Sequence, residues 1–146
     1  MSEEIRPALR LIVRERANWR CEYCGIPDYI LMYSHEPDHI IALKHGGETK
    51  SENLAYACFQ CNRAKGSDIA SYDLVTGLLT PLFNPRNQVW REHFSLNGAI
   101  IEPLTAIGRV TVKLLNLNSP TRVAMRENLL QAGTEFFPIN DNSSNK

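Results

Sequence analysis

Apolar residues recur at helical spacing near the start of the chain. Ile5, Leu9, Ile12 and Val13 share one side, and Pro7 suits a first helical turn, so Pro7 to Ala17 reads as a helix. Asp38 to Leu43, rich in isoleucine, predicts a short strand followed by a Gly46-Gly47 turn. Leu54 to Ala57 predicts a second strand, and a short helix follows from about Asn62. Further on, Phe94 to Ile101 and Arg109 to Leu117 read as strands, with Asn97-Gly98 as a hairpin turn signal. Ser119, Pro120 and Gly133 have the positions expected of a helix cap, a first turn and a terminator. The helix between them carries Val123, Met125, Leu129 and Leu130. The tail from Asn140 to Lys146 is polar and predicts disorder. The order of elements is α+β, with no internal repeat.

Length and composition narrow this picture. The chain has 146 residues, of which 43% are hydrophobic, enough for one ordinary domain with a usable core. No apolar run reaches the roughly 18 residues of a membrane helix. The start, Met-Ser-Glu-Glu-Ile-Arg, lacks the basic and apolar blocks of a secretory signal. The expected location is therefore the cytoplasm, where thiols stay reduced. Sixteen basic residues balance sixteen acidic ones. A nucleic-acid binder usually shows a basic excess, so any such role must come from local arrangement and bound cations. Arg6, Arg10 and Arg14 recur every four residues and form either a phosphate-facing row or a solvated helix face.

Four cysteines form two Cys-x-x-Cys pairs, Cys21 with Cys24 and Cys58 with Cys61. Each tight pair offers two thiolates, and two pairs complete a tetrahedron suited to zinc. A thioredoxin-like redox pair or buried free thiols are the competing readings. The redox reading needs no second pair and usually follows a strand in a βαβ unit, which the pattern lacks. A shell closed by four cysteines holds a structural zinc, not a catalytic one.

Between the pairs runs His35-Glu36-Pro37-Asp38-His39-Ile40, then Gly46-Gly47, then Ser51-Glu52-Asn53-Leu54, and after the last cysteine Asn62-Arg63-Ala64-Lys65-Gly66. In this order, inside the cysteine brackets, these pieces closely resemble the HNH nuclease family over roughly residues 17 to 67. The resemblance implies a ββα-metal core: two strands, a loop and a helix around one divalent ion. It implies a metal-dependent endonuclease acting on DNA, expected to be double-stranded, by a single-metal, histidine general-base mechanism. His39 resembles the general base, and Asn53 the residue that orients it through a side-chain oxygen accepting from the imidazole. Asp38 and Asn62 resemble the ligands of the catalytic ion. Asn62 stands where many members have histidine, which favours Mg²⁺ or Mn²⁺ over softer metals. Arg63 and Lys65 are candidate phosphate contacts. Asp38 and His39 are adjacent, and neighbours on a regular strand face opposite ways, so both can serve one site only if the strand end twists or the ion sits at its edge.

The alternative is a non-catalytic, zinc-stabilised module that grips DNA without cutting it. Such a module needs no general base beside a hard-metal site, so the complete set of Asp38, His39, Asn53 and Asn62 favours the enzyme. His35, His45 and His93 read as loop or structural residues, and Trp19 and Tyr23 as packing around the zinc site. The expected organisation is a nuclease core with its N-terminal helix over 1–70, a small hairpin and helix extension packed on it over 71–139, and a tail over 140–146. In the extension, Arg86, Arg91, Arg109 and Lys113 are candidate DNA contacts, with stabilisation of the core as the simpler role.

Overall fold

The computed structural model describes residues 4–30, 32–134 and 136, and the expected tail over 140–146 lies outside them. The architecture is α+β, built from short helices and three separate two-stranded antiparallel sheets. Helix α1 spans Pro7–Arg16, with Pro7 in its first turn as expected. It lays Val13 and Ala17, with Leu9 beside them, against Leu54 and Tyr56. Asn18 and Trp19 then both take positive φ angles of 52° and 61°, turning the chain sharply into the first cysteine pair.

Strand β1 is Glu36–His39 and β2 is Leu54–Ala57, paired antiparallel with Asp38 opposite Ala55 and His39 opposite Leu54. The expected strand thus starts two residues earlier and stops at His39. Ile41 leaves the ladder because its backbone N–H and C=O are both taken by the Asn53 side chain. Helix α2, Phe59–Lys65, begins before Asn62 because Cys58 caps it, its Sγ accepting the Cys61 N–H.

Beyond residue 70 the sequence pattern is less reliable. Strands β3, Ala70–Tyr72, and β4, Leu79–Pro81, form a hairpin that the hydrophobic pattern missed. A short helix α3, Trp90–His93, leads into β5, Phe94–Asn97, and β6, Ile100–Pro103. Register places the turn of this hairpin at Gly98-Ala99, one residue past the expected Asn97-Gly98.

Arg109 to Leu117 is not a strand: α4 runs over Ala106–Leu114. Its β-branched residues suggested extended chain, but Thr105 caps the helix by accepting the Gly108 N–H. Thr111 then fits it to its surroundings, donating to the Ile107 carbonyl and accepting the Phe83 N–H. Tertiary packing overrides β propensity here. Helix α5 spans Pro120–Gln131 as expected, with Gly133 at a positive φ of 84° beyond its end, although the Ser119 side chain makes no capping bond.

One buried cluster runs from Cys21, Tyr23 and Ile26 through Phe83, Trp90 and Phe94 to Val110, Leu115 and Leu117. It crosses residue 70, so the two segments share a core. Trp90 Nε1 donates to the Tyr23 carbonyl at 3.0 Å, and buried Glu22 accepts from Tyr56 N and pairs with Arg86. No helix among the described residues is long and apolar enough to cross a membrane.

Candidate active site and metal centre

The two knuckles repeat one device. In the first, Tyr23 N and Cys24 N point at Cys21 Sγ at 3.4 and 3.5 Å, and Gly25 N donates to the Cys21 carbonyl. In the second, Cys61 N points at Cys58 Sγ at 3.3 Å. The four sulfurs are buried and lie within 4.8 Å of one another. Cys24 Sγ and Cys58 Sγ are 3.7 Å apart. A zinc–sulfur bond of about 2.3 Å in a tetrahedron puts sulfurs about 3.8 Å apart, so the spacing fits zinc. It is far too long for a disulfide, and the four cysteines are free. Burial pushes the Cys21 and Cys61 thiols up, while Cys24 is pulled down by hydrogen bonds from its three neighbours. Among the described residues, no other group of three or more His, Cys, Asp or Glu side chains is placed to share an ion.

A second constellation lies at the end of β1. Asp38 is buried, and burial raises its carboxyl pKa against the opposing charge of Lys65. Lys65 Nζ is 3.0 Å from Asp38 Oδ2 and donates to the His39 carbonyl at 2.9 Å. Its side chain is 2% exposed, so Lys65 holds the strand end from within the fold instead of reaching for a phosphate. Asp38 Oδ2 is thus paired with the Lys65 ammonium, and a bound cation would have to share the carboxylate with it.

His39, half-buried, sets its Nε2 2.8 Å from Thr49 Oγ1. Asn53 does not reach His39. Its Oδ1 accepts from Ile41 N, and its Nδ2 donates to the Ile41 and Glu48 carbonyls, each at 2.9 Å. It therefore clamps the loop that carries Thr49, and orients His39 only at one remove. The glycine pair serves the same loop. Gly46 takes a positive φ of 91°, and a Cβ on Gly47 would fall 1.7 Å from the Ile41 carbonyl oxygen. Only glycine lets the loop close against Asn53.

Asn62 is half-buried one turn before Lys65 on α2, and makes no hydrogen bond to Asp38 or His39. Arg63 is exposed, its guanidinium 5.7 Å from the centre of the Phe59 ring, which stacks in turn on Tyr33.

The remaining sequence candidates settle into structural roles. His35 is buried, with Nε2 2.8 Å from the Ile26 carbonyl. His45 is exposed beside the Ser67 carbonyl, and His93 Nδ1 meets Thr105 Oγ1. Tyr23 is buried against Phe83, but Trp19 is 48% exposed under Arg14 and does not pack on the cysteines. Arg10 and Arg14 pair with Glu36 and Asp28. Arg86 pairs with Glu22 and Arg109 with Asp73.

Sequence reasoning missed Thr49, whose only signal was a hydroxyl two residues beyond Gly47. It also missed Arg122 and Arg126, whose burial against distant segments leaves no mark in local spacing.

Residues 21–68 match the family model for HNH endonuclease. The matched segment contains both cysteine pairs, β1, β2, α2 and the residues around His39. Neither the comparison with curated proteins nor that with solved structures returned a match.

Proposed function

We propose that the chain is a metal-dependent endonuclease that hydrolyses phosphodiester bonds of double-stranded DNA. The observation that supports it best is the pairing, within the matched segment, of a braced histidine, His39, with a buried carboxylate, Asp38, at one strand end. The β1–β2–α2 unit reads as a ββα-metal core, and the reduced cysteines suit a cytoplasmic protein.

Cys21, Cys24, Cys58 and Cys61 would hold a structural zinc with a closed shell. Asp38 and Asn62 would hold a magnesium or manganese ion, which keeps most of its waters and needs few protein oxygens. Such an ion, when bound, supplies charge stabilisation of the phosphoryl group and the leaving oxygen. His39 acts as the general base. With its Nε2 proton donated to Thr49 Oγ1, Nδ1 presents a lone pair to a water poised for attack. Asn53 and Gly47 fix the loop beneath Thr49, Lys65 fixes the end of β1, and Arg63 contacts a flanking phosphate.

Plasmid cleavage in Mg²⁺ tests this reading, comparing wild type with His39→Ala. The expected result is nicking or linearisation by the wild type and a rate lower by about 10²–10⁴-fold in the variant, with DNA binding kept. Equal turnover by the two proteins would remove His39 as the base. The second reading, a module that binds DNA without cutting, is favoured by the Lys65 ammonium already lying against Asp38. DNA binding without cleavage in Mg²⁺ or Mn²⁺, with zinc retained, would support that one instead.

A further inference from the structure

Helix α5 buries two arginines one turn apart, Arg122 at 3% exposure and Arg126 at 0%. Buried guanidinium groups are ordinarily paired with carboxylates, since an uncompensated charge away from water is costly. Among the described residues these two have none. Arg122 Nη2 lies 2.9 Å from Cys61 Sγ and 3.8 Å from Cys58 Sγ, and its Nη1 donates to the Leu115 carbonyl at 2.7 Å. Arg126 donates Nε to the Ala99 carbonyl and Nη2 to the Leu117 carbonyl, each at 2.7 Å, and reaches Asn118 Oδ1 at 3.0 Å.

Carbonyl oxygens satisfy hydrogen bonds but do not balance charge. The two arginines also repel each other across one helical turn. Among the described residues, the groups within reach of Arg122 that can carry negative charge are sulfurs, Cys61 Sγ and Cys58 Sγ. A divalent ion held by four thiolates carries two surplus negative charges, one of which the Arg122 guanidinium offsets.

We propose that Arg122 is the outer shell of the four-cysteine zinc site, offsetting the charge of the zinc tetrathiolate and making α5 part of the metal centre. The inference rests on the zinc reading but not on nuclease activity. Arg122 bonds a ligand sulfur directly, while Arg126, one turn on, braces the Ala99 and Leu117 carbonyls. In the metal-free thiol form Arg122 loses its counter-anion, so α5 and the chain it braces at Leu115 loosen with the zinc.

The test uses the full chain and measures zinc affinity by competition with a chromophoric chelator, together with the sulfur-to-metal charge-transfer band of the cobalt(II)-loaded protein. Arg122→Met should weaken zinc by about 10–100-fold, and Arg126→Met, whose bonds go to carbonyls, by less. The cobalt band should move to lower energy, because thiolates that lose a neighbouring positive charge give up electrons more readily. A wild type that binds no zinc would overturn the zinc reading itself. An Arg122→Met variant that folds with wild-type affinity and an unmoved band would overturn the outer shell while leaving the zinc standing. Should Arg122→Met not fold, Arg122→Lys decides. Retained zinc at an affinity lowered by less than about tenfold supports a charge role, whereas loss as complete as in Cys61→Ser overturns it.

Discussion

The molecule holds a four-cysteine cluster and, beside it, the group around His39, and the two are built on opposite plans. The four cysteines are buried and set within 4.8 Å of one another, and the backbone amides of their own knuckles steady the sulfurs. They are also braced from the far end of the chain by Arg122. Around His39 little is closed. The ring is half-buried, Asp38 is paired with Lys65, and Asn62 is half-buried on α2. A closed shell gives folding energy and leaves no position for a substrate, whereas an open one gives up stability to keep coordination positions free. In the proposed function the chain fixes its geometry at the cysteines and leaves its chemistry to the neighbouring strand end. Helix α2 joins the two, carrying Cys61 on one turn and Lys65 on the next.

The largest expected effect breaks the first plan. Cys58→Ser removes a thiolate ligand and leaves a hydroxyl that can still cap α2, so it tests the metal site alone. Structural zinc carries about 10–16 kcal/mol of apparent binding energy, more than a domain of this size has to spare. The variant should release zinc and lose its cooperative unfolding transition by circular dichroism. A well-folded, metal-free Cys58→Ser protein would show that the cysteines are only core thiols.

Lys65→Met comes next, and falls where the two plans meet. Both partners of the Lys65–Asp38 pair are buried, at 2% and 9% side-chain exposure, so solvent screening gives little relief. Removing one member of such a pair costs about 3–5 kcal/mol, because the other charge is left uncompensated. The melting midpoint should fall on the order of 10 °C. Added Mg²⁺ should recover part of that loss if Asp38 takes the ion, since any ligand that binds only the folded state stabilises it. A melting point indifferent to both the substitution and the ion would remove Asp38 as a ligand.

How much of this was legible follows from the range of the forces involved. The cysteine pairs and the Asp38-His39 step could be read directly, because ligand spacing within a knuckle is a local matter. Asn53 was visible as a motif residue, but its real partners, the Ile41 and Glu48 backbone groups, appear only once the loop is folded. The β3–β4 hairpin escaped because its tip depends on Asp73, tied to Arg109 from α4, a residue 36 positions away. Helix α4 was misread because its β-branched residues suit strands until Thr105 and Phe83 claim them. Arg122 and Arg126 were hidden most deeply, since a buried arginine on a helix looks like a surface one until its distant partners are known.

A smaller effect tests whether the open site is positioned at all. Thr49→Val keeps the shape and removes the hydroxyl that meets His39 Nε2. One neutral hydrogen bond is worth about 1 kcal/mol, so kcat should fall roughly five- to tenfold, with KM and the melting point little changed. Thr49→Ser should restore it. A fall in thermal stability matching the fall in rate would mark Thr49 as a loop staple with no hold on the base.

The smallest effect concerns the rim of that site. Arg63 is exposed, leans on the Phe59 ring and has no carboxylate partner among the described residues, unlike Arg10, Arg14, Arg86 and Arg109. Its distance from the core keeps the stability cost of Arg63→Ala within about 0.5 kcal/mol. Its effect should be on binding alone, weakening DNA of every sequence alike. A phosphate contact releases counterions, so its loss should make the log–log dependence of affinity on salt shallower by about 1. For a chain of zero net charge that change is a large share of a small slope. An unchanged slope would move the DNA track off this face of α2 and away from the open site.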